Sequence, residues 1–193
     1  PIISFFFKQM GAVPMGGIQR GTSTGEEIKK AFVQIETALK SGSNILLYPA
    51  GQLYSQNYEV IKGKKAAYEL VKNMPENTEI LLIRTTGLWG SMWSKAWEWK
   101  TPNIIKTLFF SIFILLANIL FFVPKRTVRV SIENHTEKLK KQSNIQEFNE
   151  YLENYYNIEG KEDLSFKKHF FFLNDTANRN PPKTISGSVE GEN

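Results

Sequence analysis

The chain holds two histidines, His135 and His169, and no cysteine. Imidazole is the side chain most readily used as a general base near neutral pH, provided a neighbour orients it within reach of a substrate proton. His135 is followed by Thr-Glu-Lys-Leu-Lys, which offers no carboxylate at a fixed offset, and His169 has Asp175 six residues on in an apolar patch. Neither sits at a strand end beside the Pro-Ala-Gly turn in sequence, so surface or packing roles are expected for both. Without cysteine there is no thiol nucleophile, disulfide or thiolate ligand, and no metal or cofactor is expected. Lys62, Lys64 and Lys65 in IKGKKAA could meet a phosphate, but the stretch does not match a phosphate-binding loop, and a solvated helix start is the plainer reading. The glycosylation sequons at Asn134 and Asn174 carry meaning only in a secretory context.

A different chemistry is suggested by NILLYPAGQLYSQ, residues 44–56. An apolar run stops at Tyr48 and Pro49 and becomes a small, polar turn. Such a turn joins a strand to a helix, or it presents backbone and polar groups to a substrate. Tyr48, Pro49, Ala50, Gly51 and Gln52 are the candidates.

The elements around this turn come from periodicity. Ser23 with Glu26, or Thr24 with Glu27, makes a capping box, and Ile28, Ala31, Phe32, Ile35, Ala38 and Leu39 share one helical face before Gly42. GKKAAYELVKN and residues 145–156 are further amphipathic helices. Residues 2–10, 44–48, 78–87 and TVRVSIE read as a short buried helix and three strands. Strands alternating with helices predict an α/β domain with a mostly parallel sheet flanked by helices, and ligands beyond the carboxyl ends of the strands. Arg84 and the turn after it also lie at such an end.

Two segments point to lipid. GLWGSMWSKAWEW, residues 87–99, carries Trp89, Trp93, Trp97 and Trp99, and indole favours either a packed cluster or the headgroup level of a bilayer. LFFSIFILLANILFFV, residues 108–123, is almost wholly apolar between Lys106 and the pair Lys125 and Arg126. At ~1.5 Å per residue it spans about 24 Å, short of the ~30 Å hydrocarbon core. The strand after it would return the chain to its starting side, so a helix at about 104–123 lying in one leaflet fits better than a span. The membrane-facing candidates are Trp89, Trp93, Trp97, Phe109, Phe113, Leu116 and Phe121. The net charge of +5 suits anionic surfaces or phosphorylated ligands, and no RNA-binding motif is present.

The order GGIQRG, helix, LLYPAGQLYS, helix, ILLIRTTGLWGS resembles the glycerolipid acyltransferase family, of the lysophosphatidic acid acyltransferase type. RTTGLWGSMWSKA, the apolar helix and VPKR resemble the acyltransferase modules of bacterial fusions with an AMP-forming acyl-acyl-carrier-protein synthetase. The resemblance covers roughly residues 1–172, with 173–193 a polar linker or disordered tail. It implies that Arg20 helps hold a substrate phosphate, with 48–52 as the substrate-binding turn. It further implies acyl transfer from an acyl carrier protein or coenzyme A thioester to a lysophospholipid, at the cytoplasmic face of a bacterial inner membrane, with membrane phospholipid as partner and no nucleic acid. A fused downstream synthetase domain is possible on the same ground.

Three departures qualify it. The family's Asn-His-x4-Asp block is absent, and the residue at the Asp offset from His135 is Lys140. The chain is therefore expected to be truncated at its N-terminus and inactive alone. Ala50 and Leu53 replace a carboxylate and a guanidinium of the third block, which points away from a bare glycerol phosphate and toward a lysophospholipid with a masked phosphate, such as one bearing ethanolamine. The competing readings are a degenerate, non-catalytic membrane scaffold and a soluble α/β domain binding a phosphorylated small molecule.

Overall fold

The computed structural model describes residues 25–51, 57–97 and 101–173. Helix α1, Gly25–Lys40, follows the 3.6-residue apolar pattern, with Ala31 and Ile35 buried. It stops at Gly42, whose φ of 83° is left-handed. The amides of Gly42 and Ser43 return to the carbonyls of Leu39 and Ala38 at 3.0 and 2.9 Å, the Schellman arrangement that glycine permits. Helix α2, Ala66–Asn73, is followed by strand β1, Leu81–Thr86, a 3-10 turn at Lys95–Trp97 and helix α3, Ile104–Ala117. Strand β2, Arg129–Asn134, then leads into helices α4, Thr136–Lys140, and α5, Ile145–Tyr156. Asn144 caps α5 by accepting from the Glu147 amide at 2.9 Å, and the Glu147 carboxylate accepts from Ser143 N at 3.0 Å.

The expected mostly parallel sheet is corrected. Among the described residues the sheet has two strands, β1 and β2, and they run antiparallel with Ile83 opposite Ile132 and Thr85 opposite Val130. Residues 44–48 form no strand. The reason lies in where the excursion between the strands begins and ends. The chain leaves β1 at Gly87, and Arg126, just before β2, donates from Nη1 to the Gly87 carbonyl at 2.9 Å. Exit and return therefore meet at one end of the ladder, which forces an antiparallel partner. A parallel crossover must instead carry the chain back to the start of the first strand.

The core lies on one face of this ribbon. Leu82 points inward with Ile61, Ala67, Leu139, Phe148, Leu152 and Tyr155, and Tyr68 meets the Phe148 ring edge-on. Ala50 belongs to the same cluster, so the residue expected in the substrate turn is a core residue. Leu81, Ile83, Val130 and Ile132 stand on the opposite, exposed face.

Candidate membrane surface and polar cleft

Helix α3 begins at Asn103, whose side chain accepts from the Lys106 amide at 3.0 Å. Its serine turns inward: Ser111 donates to Thr107 O at 2.8 Å and to Met92 Sδ at 3.2 Å. Ile114 is its only buried side chain. Ile104, Ile105, Leu108, Phe109, Phe110, Ile112, Phe113, Leu115 and Leu116 are all exposed, a contiguous apolar surface of the kind that marks an interaction site.

The expected helix to residue 123 ends six residues sooner, because Asn118 breaks it. Asn118 is completely buried. Its Nδ2 donates to the carbonyls of Ile114 at 2.6 Å and His169 at 2.9 Å, and its Oδ1 accepts from Phe171 N at 2.9 Å. Ile119 and Leu120 then take φ of 51° and 60° and reverse the chain. The turn shows Ile119, Leu120, Phe121 and Phe122 to solvent, with Phe121 83% exposed. Residues 166–173 form a strap along α3: Phe170 meets Phe113 at 6.0 Å, Phe171 meets Phe122 at 5.0 Å, and Phe110 meets His169 at 5.2 Å. Among the described residues no helix is long and apolar enough to cross a membrane.

Of the tryptophans, Trp93 is exposed, Trp97 packs on Phe166 and His169, and Trp89 is 4% exposed. Trp89 therefore sits inside the fold, away from the expected membrane face, while Trp99 lies outside the described residues. Phe109, Phe113, Leu116 and Phe121 lie on the exposed apolar surface.

Arg126 was expected as a basic flank of the apolar run. Its guanidinium instead spans the carbonyls of Gly87 and Ser165, at 2.9 and 2.5 Å. Burial pulls its pKa down, opposed by the nearby Glu162 carboxylate. Glu162 accepts from the amides of Gly87 and Trp89 at 2.7 and 2.8 Å. This knot requires glycine at 87: φ is 94°, and a Cβ there would lie 2.1 Å from Thr127 O.

Beyond the knot, a cleft of about 370 Å³ opens at the carboxyl end of β1, lined by Glu59, Thr85, Thr86, Arg129 and Lys161 among others. Burial, and then the Glu153 carboxylate, push the Glu59 pKa up to about 7, and Tyr156 is pushed up to about 12 chiefly by burial. Arg84, expected at a ligand-binding strand end, is buried and structural. It donates to Tyr155 O and Glu159 at 3.1 Å each and stacks over the Tyr155 ring. Tyr48 is exposed, and Gly51, with φ of 66°, donates to Tyr48 O at 3.0 Å, closing a tight turn. The residues 48–51 do not line the cleft. Arg20 and Gln52 lie outside the described residues, as do the capping candidates at 23 and 24.

His135 is buried and His169 is half-buried. His135 is 6% exposed, with Nδ1 2.6 Å from the Tyr151 hydroxyl and Nε2 3.3 Å from Glu133. The orienting carboxylate sought after His135 in sequence stands two residues before it, near the end of β2. His169 lies among the rings of Trp97, Phe110 and Phe170. No group of His, Asp or Glu among the described residues is arranged to hold a metal. No protein-family model, curated protein or solved structure matches the chain.

Proposed function

We propose that the chain works at a phospholipid surface, seated in one leaflet through α3, the turn at 119–122 and the strap at 171–173, and that its chemistry there is acyl transfer to a lysophospholipid. The observation that carries the membrane part is the apolar surface itself. Nine exposed apolar side chains of a single 14-residue helix run into four more at its end. Water charges roughly 25 cal/mol for each Å² of apolar surface left exposed, so such a face persists where something apolar covers it. A helix of about 21 Å at ~1.5 Å per residue suits lying in the interface rather than crossing it.

The acyl-transfer part is supported by the sequence resemblance at Gly17, Ile18, Gln19 and Arg20, at residues 48–55 and at 80–83. Liposome flotation tests the first part, and incubation of the 193-residue chain with acyl-carrier-protein and coenzyme A thioesters plus lysophospholipid tests the second. The chain is expected to float and, by itself, to transfer no acyl group above background. Transfer abolished by His135→Ala or His169→Ala would show that the base has been misassigned. A chain that stays in the aqueous fraction would end the membrane reading.

A further inference from the structure

The turn at 119–122 is built against ordinary turn chemistry. A turn with two successive residues in the left-handed region calls for glycine, asparagine or aspartate, whose backbones tolerate positive φ. Here the two positions are Ile119 and Leu120, at φ of 51° and 60°. Branched side chains there are strained, and the fold offers them no burial in return: Ile119, Leu120, Phe121 and Phe122 are all exposed. The turn is held nonetheless. Phe122 N reaches Asn118 O at 3.0 Å, Leu120 N reaches Leu115 O at 2.9 Å, and the Asn118 side chain ties the base of the turn to His169 and Phe171. Strain, exposure and a rigid base coincide at one point.

The segments that make up this surface carry charge of one sign. Lys106, Lys125 and Lys167 are exposed, and Lys168 donates to Phe171 O at 3.1 Å beside the apolar strap. The described part of α3, the turn and the strap, residues 104–126 and 166–173, holds Lys106, Lys125, Arg126, Lys167 and Lys168 and neither aspartate nor glutamate. An apolar surface whose only ionic groups are cations complements a leaflet with anionic headgroups over hydrocarbon.

Resting on the docking reading above, we infer that residues 119–122 are the deepest anchor of the protein, inserting as a wedge into one leaflet of an anionic membrane with the lysines at headgroup level. The bilayer supplies the apolar contact that the strained turn lacks in water.

The absence of cysteine allows single-cysteine labelling. An environment-sensitive dye would be placed at Phe121→Cys, at Phe109→Cys on the helix, and at the exposed Ser43→Cys as a control. The vesicles would be phosphatidylcholine alone or mixed with phosphatidylglycerol, with acyl-brominated lipid as the depth quencher. The 121 label should shift to the blue and be quenched more deeply than the 109 label, with the 43 label unchanged. Lys125→Glu with Lys167→Glu should lower partitioning into the anionic vesicles by about tenfold or more and leave the neutral ones little affected. Flotation with an aqueous, unquenched label at 121 would overturn the wedge and leave the docking reading standing. Equal partitioning into both vesicle types would overturn the anionic preference. Failure to float on either vesicle would overturn both readings. A dimer in the ultracentrifuge that depends on Phe121, with no vesicle binding, would replace the membrane by a second copy of the chain.

Discussion

Phe148 is 1% exposed and Phe121 is 83% exposed, although the two side chains are identical. Around Phe148 the apolar residues of β1, α2, α4 and α5 close on each other, and donors at the edges find acceptors: Tyr155 Oη with Leu82 O, Asn149 Nδ2 with the carbonyls of Lys62 and Lys64, and Arg84 with Glu159. Around Phe121 the chain folds its polar groups inward, through Ser111 and Asn118, and leaves the apolar ones outside. The first region follows the rule for a fold in water, and the second reverses it. The second region is tied together by a few polar clamps and ring contacts, and its exposed side chains are available for contact with something else.

The sharpest way to break this contrast is to truncate both regions. Phe148→Ala should cost about 3–5 kcal/mol of stability, measured by urea denaturation, because it opens a cavity in a closed core. Phe121→Ala should change stability by less than about 0.5 kcal/mol. Similar losses for the two would mean that the tip is buried in the native protein.

The knot between the regions comes next. Gly87→Ala should cost about 2 kcal/mol or more, since its Cβ would meet the Thr127 carbonyl at an unfavourable φ. A melting temperature unchanged from the parent would show that the excursion from β1 is not pinned at Arg126.

Asn118→Leu should cost about 1–3 kcal/mol by leaving the Phe171 amide and the His169 carbonyl without their partner. It should also release the strap without disturbing the Phe148 core, so amide exchange should rise at 169–173 and stay slow in α5. Uniformly faster exchange would argue that the two regions melt as one.

The smallest effect concerns pH. The folded Glu59 holds its proton up to about 7, while the unfolded carboxyl has the ordinary value of 4.5. Between those values the native state binds the extra proton, so stability falls as pH rises through that window and stays lower above it. Allowing for solvent screening at this partly open site, the loss is about 1 kcal/mol. Glu59→Gln should flatten that slope, and an unchanged pH profile would place the carboxyl in water.

Much of this contrast was legible locally. The apolar spacing of α1, α2 and α5 announced their positions, and 108–123 announced its apolar surface. Strand direction was not legible, because alternation along TVRVSIE marks a strand but says nothing of its partner. That depended on Arg126 reaching Gly87, an interaction between residues 39 apart. The helix end at Asn118 had a signal, a lone amide in an apolar run, and its meaning needed the strap at 169–171. Glu133 beside His135 was missed because the carboxylate was sought downstream, whereas it stands near the end of β2, just before the histidine. The packing of Ala50 into the core was likewise not legible, because the cluster it joins includes Leu82 and Leu152, which lie far along the chain.

The central claim is that the apolar surface of α3 serves contact with lipid rather than folding. Its most direct test is flotation of the Phe113→Lys, Leu116→Lys double variant with liposomes, alongside its urea denaturation curve. Both residues are exposed, so the account predicts an unchanged denaturation midpoint and a loss of liposome partitioning of about a hundredfold or more. Flotation equal to that of the parent chain, with folding intact, would contradict it.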